Sequence, residues 1–239
     1  MALKSFRNIF FAVIVLVCGV GYGGEVIDLA TRLEKLDGKD SVRAMVHIDD
    51  HVSKVLDEES KQLEQMDFII TADANALILT IADKISNNRL YRDFSLLHAG
   101  QLAHYSPHLA SELDGLKLVE NEPDVYQGVP CKRWRLKSEL KESKFGISST
   151  TLRDVELRID AEGYPVAGSF KSQVKGRMLL FKFNSETVRQ QRYQRLGSRL
   201  VVVFDRNETD VKSKAGGQKR TITTTFEVGK IDSKGVRQK

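Results

Sequence analysis

Cysteine and proline are scarce in this chain: its 239 residues include two cysteines and four prolines. Two cysteines cannot build the disulfide framework of a small secreted scaffold. Glycine and proline together fill only 21 positions, too few for a collagen-like or low-complexity chain. With 41% hydrophobic residues, the composition is too apolar for disorder. Catalytic signatures are missing as well. The chain has no G-x-S-x-G elbow, Walker loop or H-E-x-x-H pair, and no Rossmann glycine fingerprint set between a strand and a crossover helix. What remains is one domain of ordinary size, long enough for a real core.

Residues 1–23 read as an export signal. Lys4 and Arg7 form a short basic region, Ile9 to Val20 is almost wholly apolar, and Gly21 and Gly23 place small side chains at a cleavage site. The apolar run is shorter than the ~20 residues that span a bilayer core, which disfavours an uncleaved anchor. Lipidation of Cys18 is disfavoured by Val17, because a lipobox places a small residue there. The expected location is therefore exported, periplasmic or associated with an outer membrane. Cleavage leaves Cys131 as the lone cysteine, expected to be buried rather than catalytic.

Residues 24–230 are expected to form a single domain, followed by a polar tail at 231–239. Ile27, Ala30, Leu33 and Leu36 recur at helical spacing and predict an amphipathic helix that ends before Gly38. Strands are expected at Val42–Ile48, Met66–Thr71 and Ala76–Ile81, with a turn at Ala72–Asn75 and a polar loop at Asp57–Glu64. Short helices are expected at Ser95–Ala103 and, after a Ser106 N-cap, at Pro107–Asp114.

Strand signals then fill the chain at Leu116–Glu120, Cys131–Leu140, Thr151–Asp160, Val166–Lys175, Met178–Phe183, Val188–Arg195, Arg199–Asp205 and Thr221–Val228. Hairpin connections are expected at Asp160–Gly163 and Lys175–Gly176, and a loop around Gly216 and Gly217. No stretch between these strands is long enough for a crossover helix, so the sheet should be an antiparallel meander. The predicted class is mainly β (α+β): a large curved antiparallel sheet, or open half-barrel, with an N-terminal amphipathic helix and short helices near residues 95–114.

The export signal, the opening helix Ile27–Leu36, the hairpin around Met66–Ile81 and the Asp160–Pro165 turn give the chain a pattern that resembles the LolA/LolB family of bacterial lipoprotein-localisation factors and the related MucB/RseB sensor domains. The resemblance implies an unclosed β-barrel with a hydrophobic cavity for acyl chains. On it rests the expectation of a non-catalytic carrier for an apolar ligand, lipid or a lipoprotein acyl chain, with a cavity lined by alternate residues such as Leu79, Leu157, Ile159, Phe170 and Phe181. The alternatives are an envelope interaction module and a metal-assisted hydrolase.

Charge is unevenly distributed. Residues 24–125 hold 10 basic and 20 acidic residues, residues 126–239 hold 25 and 12. Lys171, Lys175, Arg177, Lys182, Arg189, Arg192, Arg195 and Arg199 stand against Glu186 alone in their window, predicting a face for anionic headgroups or an acidic partner. An alternative is mutual neutralisation of the two halves; nucleic acid is not expected as a partner. No cofactor is expected. His47, Asp49 and His51 share one face of an extended strand and form a weak metal candidate. His104 and His108 have helical metal-pair spacing, but Pro107 between them places His104 outside the helix. Asn207-Glu208-Thr209 has the form of an N-glycosylation triplet. Trp134, Tyr126 and Phe183 read as core or sheet-face aromatics.

Overall fold

The computed structural model describes residues 23–54, 57–81, 96–144, 147–178, 181–213 and 216–228, with the backbone alone at 53, 54, 57–66, 81, 96, 97, 99, 144, 147, 178, 181, 213 and 216. The expectations for the signal region up to residue 22 and for the tail at 231–239 lie outside these residues. Ten strands form one open, unclosed antiparallel sheet: β1 Val42–Lys54, β2 Asp57–Ala72, β3 Leu77–Ile81, β4 Lys117–Tyr126, β5 Val129–Lys144, β6 Ile147–Ile159, β7 Pro165–Met178, β8 Phe181–Leu196, β9 Arg199–Ser213 and β10 Gly216–Val228. Their order across the sheet is β3-β2-β1-β10-β9-β8-β7-β6-β5-β4, a meander in which the first and last strands pair in the middle. Three helices accompany it: α1 Gly23–Glu34, α2 Leu96–Ala103 and α3 Ser106–Glu112.

α1 buries a stripe offset from the expected one. Val26, Leu29 and Leu33 are buried, while Ile27 is 58% exposed. At about 100° per residue, Val26, Leu29 and Leu33 cluster on one side and Ile27 turns away from them. The helix gives way before Gly38, whose φ of +66° suits glycine. Ser106 is the first helical residue of α3 rather than its cap; Tyr105 holds the cap position, and the Ser106 hydroxyl sits 3.3 Å from the His104 ring.

The strands run longer than their apolar signals. Asp57–Glu64 is part of β2, not a loop, because each residue that pairs with β1 gains ladder hydrogen bonds that outweigh its poor strand propensity. Met178–Phe183 and Val188–Arg195 are not separate strands, and Lys175–Gly176 is not a turn. Gly176 lies within β7 opposite Phe183 of β8. A side chain at Gly176 would collide with the Phe183 ring, so the glycine makes room for the aromatic neighbour instead of reversing the chain. Likewise Gly216 and Gly217 begin β10. The turns at Ala72–Asn75 and Asp160–Gly163 form as expected, each closed by an aspartate carboxylate that accepts two backbone N–H groups.

All three helices pack on one face of the sheet, the inner face, and only over one end of it. α2 rests against β2, β3 and β9, α3 against α1 and β9, and α1 against β4. The core therefore gathers Leu29, Leu33, Tyr105 and Leu109 from the helical side with Val46, Ile70, Leu136, Leu157 and Leu200 from the strands. Among the described residues, the other half of the long strands extends past the helices. None of the described helices is long and apolar enough to cross a membrane.

Candidate functional site

Strand register sorts the inner face into rows running across the sheet. The row of Trp134, Leu157, Gly168, Gln191, Asp205, Thr224 and Ile48 lies at the covered end. Leu136, Val155, Phe170, Arg189, Asn207, Ile222 and Asp50 follow. Next come Ser138, Arg153, Ser172, Thr187, Thr209, Arg220 and Val52, then Leu140, Thr151, Val174, Ser185, Val211 and Gln218.

A polar seam marks where the helices end. Tyr105, fully buried, donates its hydroxyl hydrogen to Glu112 Oε2 at 2.9 Å, and His108 Nε2 lies 3.3 Å from Glu112 Oε1. Arg189 reaches across from β8: its Nε donates to Asp205 at 2.7 Å, and its Nη1 lies 3.4 Å from Glu112. Tyr193 stacks on Tyr105 at 5.8 Å and donates to Gln191 at 2.6 Å. Burial opposes the Glu112 charge, but His108, Arg189 and Tyr105 outweigh it and hold this carboxyl below its ordinary range. Burial likewise pushes the Tyr105 and Tyr193 phenols up, so both stay neutral donors. Arg153 caps the end of α3 by donating to the carbonyls of Glu112 and Asp114. Farther along, Arg220 grips Asp50 with two hydrogen bonds of 2.9 and 2.7 Å.

Beyond the seam the inner face changes character. Its first uncovered row is rich in hydroxyls, with Thr187 and Thr209 3.5 Å apart, and its second is aliphatic and hydroxylic in turn. Leu140 is 55% exposed there and Val211 42%. Leu157 and Ile159 are instead buried in the core, and Leu79 and Phe170 pack against it. The side chain of Phe181 lies outside the described residues. The helices fill the space over Leu157, while Ile159 borders a cleft at the covered end.

A cleft of about 460 Å³ opens at the covered end, between α1, β5 and the turn from β6 to β7. Leu29, Pro130, Trp134 and Ile159 give it an apolar wall, and Glu25, Asp28, Arg32 and Glu162 stand around it. Cys131, also on its wall, is half-buried rather than buried, and burial raises its thiol pKa, which keeps it a weak nucleophile.

The eight cations expected to share a face do not. Lys171, Lys175, Arg177, Lys182 and Arg192 lie on the outer face, but Arg189 occupies the opposite parity of β8 and points into the seam. Arg195 sits at the strand end, paired with Glu162 at 2.6 Å and stacked over Tyr164. Arg199 is 4% exposed and donates to the carbonyls of Asp40 and Asp73. Over much of the outer face, register sets cations beside carboxylates: Arg133 with Glu122, Arg135 with Asp154, Arg158 with Asp124, Lys171 with Glu186.

His47, Asp49 and His51 do share the outer face of β1. Yet His47 places one ring nitrogen on Asp67 and the other 3.1 Å from Asp49. The Asp67 hydrogen bond, foremost, raises the His47 pKa and favours a doubly protonated ring, which has no lone pair for a metal. No group of three potential ligands converges among the described residues. His104 lies against Gly38, and His108 faces Glu112, so the two do not form a pair. Trp134 is buried in the core, whereas Tyr126 and Phe183 are half-buried, Tyr126 beneath Arg158. Sequence reasoning missed the seam: its members come from α3, β8 and β9, and only the i, i+4 spacing of His108 and Glu112 hinted at it. No family model matches the chain, and no curated protein matches it.

Proposed function

We propose that this chain is a non-catalytic carrier that acts after export and holds an apolar or amphiphilic ligand, such as a lipid or a lipoprotein acyl chain, against the uncovered part of its inner face. The observation that carries this reading is the extension of the long strands past the helices, which leaves Leu140 and Val211 exposed on a broad open surface. Covering these aliphatic side chains with a ligand would gain burial free energy in proportion to the apolar area removed from water. An acyl chain lying along the row of Leu140, Val174 and Val211 would recover it, while the neighbouring row of Ser138, Ser172, Thr187 and Thr209 offers hydrogen bonds to an ester or a headgroup.

The test is binding of a fluorescent fatty-acid analogue to delipidated protein. Leu140→Asp combined with Val211→Asp should weaken binding at least tenfold with little change in thermal stability, because both side chains are exposed. Equal binding by wild type and double variant would refute this site. A second reading, an envelope interaction module, draws on the filled core under the helices. It predicts no co-purifying lipid and a protein partner whose capture weakens with salt.

A further inference from the structure

The four inner rows from β5 to β1 hold five charged side chains: Asp205 in the first, Arg189 and Asp50 in the second, Arg153 and Arg220 in the third. Where the seam meets this face, α3 adds Glu112, onto which His108 is turned. Three guanidiniums therefore stand with three carboxylates, and their partners are internal. Arg220 lies 2.9 and 2.7 Å from Asp50. Arg189 stands between Asp205 and Glu112, at 2.7 and 3.4 Å. That cluster has one carboxylate more than it has guanidiniums. Arg153, donating to the carbonyls of Glu112 and Asp114 at the end of α3, offsets the surplus.

Between these matched charges lie neutral hydrogen-bonding groups. The third row sets Ser172, Thr187 and Thr209 between Arg153 and Arg220. The fourth sets Thr151 and Ser185 among Leu140, Val174 and Val211. Thr187 and Thr209 are half-buried, with their hydroxyls 3.5 Å apart. Each hydroxyl donates one hydrogen and accepts at its lone pairs, so the row answers a ligand group that does both. A carboxylate or phosphate laid there would shed water and meet only guanidiniums that already hold an internal acceptor. An ammonium would meet only carboxylates that already hold a guanidinium. Either charge would lose hydration without gaining a counter-charge.

We infer that the inner face takes an uncharged, hydroxyl-bearing amphiphile of the monoacylglycerol class. Its ester and glycerol hydroxyls meet Ser172, Thr187 and Thr209, and its acyl chain lies along Leu140, Val174 and Val211. The inference rests on the carrier reading above and names the ligand class of that same surface. It also gives the seam a role in selectivity, because a face held at zero net charge favours neither anionic nor cationic headgroups. An uncompensated unit charge one row away, at ~7 Å, would change the affinity of a charged headgroup by about tenfold or more.

The experiment is displacement of the uncharged fluorophore N-phenyl-1-naphthylamine from delipidated full chain. The three competitors share one chain length: monodecanoylglycerol, decanoate and decylamine, each below its micelle concentration. At about pH 8 the acid and the amine are both ionised. Wild type should bind monodecanoylglycerol about tenfold or more tightly than either charged ligand. Glu112→Gln and Asp205→Asn each leave one guanidinium uncompensated, and each should shift the decanoate-to-decylamine ratio about tenfold toward decanoate. Thr187→Val/Thr209→Val should weaken monodecanoylglycerol about tenfold and leave fluorophore binding unchanged. Melting curves identify the variants that fold, and the two carboxylate variants serve independently. Three results overturn the inference while the carrier reading stands: a charged ligand that binds wild type as tightly as monodecanoylglycerol, an unchanged ratio in a folded carboxylate variant, or unchanged monodecanoylglycerol affinity in the threonine variant. No uptake of the fluorophore, and displacement by none of the three ligands, refutes the carrier reading and the inference with it.

Discussion

Replacing Arg189 with Met tests the polar seam. The guanidinium is 23% exposed at its side chain, its partners Asp205 and Glu112 14% and 23%, so solvent screens this group far less than it screens the outer-face pairs. Removing one member of a buried ion pair costs about 3–5 kcal/mol, because the carboxylates stay behind without their counter-charge. Residual solvent contact puts the expected loss at the lower end, about 3 kcal/mol, or roughly 6–12 °C in Tm for a domain of this size.

The pH dependence adds a sharper signature. In wild type the Glu112 carboxyl titrates below its ordinary value, so its contribution is present above the unfolded-state pKa near 4.3–4.5 and is lost as pH falls toward the lowered folded value. Without Arg189, burial has less to oppose it and the folded pKa of Glu112 rises. Protonation then relieves the variant as pH falls, and the gap between variant and wild type narrows as pH drops through the variant's raised value toward the lowered wild-type one. Denaturant unfolding at several pH values measures this, with Arg189→Met/Asp205→Leu expected to recover about half the loss. A loss under about 1 kcal/mol, the range of exposed pairs, or a gap independent of pH refutes the reasoning.

Three other outcomes follow from particular contacts. Gly176→Ala should destabilise by about 1–3 kcal/mol, since the new methyl meets the Phe183 ring, and Phe183→Ala in the same chain should remove most of that penalty; thermal melts of the cycle decide it. The His47 imidazole should titrate above the ordinary histidine value by NMR, and Asp67→Asn should lower it more than Asp49→Asn does. Because that folded-state pKa is raised, the small stabilisation from His47 is complete below the unfolded value near 6.5 and disappears as pH rises through the folded one, a trend that His47→Gln should abolish.

The meander, its antiparallel sense and the three helices were legible in the chain because they depend on local periodicity and on the shortness of the connections. The turns at Asp73 and Asp160 were legible for the same reason: an aspartate that accepts its own downstream N–H groups needs no partner from elsewhere. Strand length was not. Asp57–Glu64 and Gly176 read as breaks in isolation, and only pairing with β1 in one case and β8 in the other makes them strand.

Register alone decided which residues share a surface. A one-residue change of parity takes Arg189 from the expected cationic face into the buried seam, and brings Lys141, Lys175 and Lys212, each more than thirty residues from the next, into one row. The sequence determined how much apolar, hydroxylic and charged material each strand carries. Where the helices stop along the sheet, and so which of that material becomes core and which stays open, was decided by tertiary packing, because helix and strand compete for the same inner face only once both have formed.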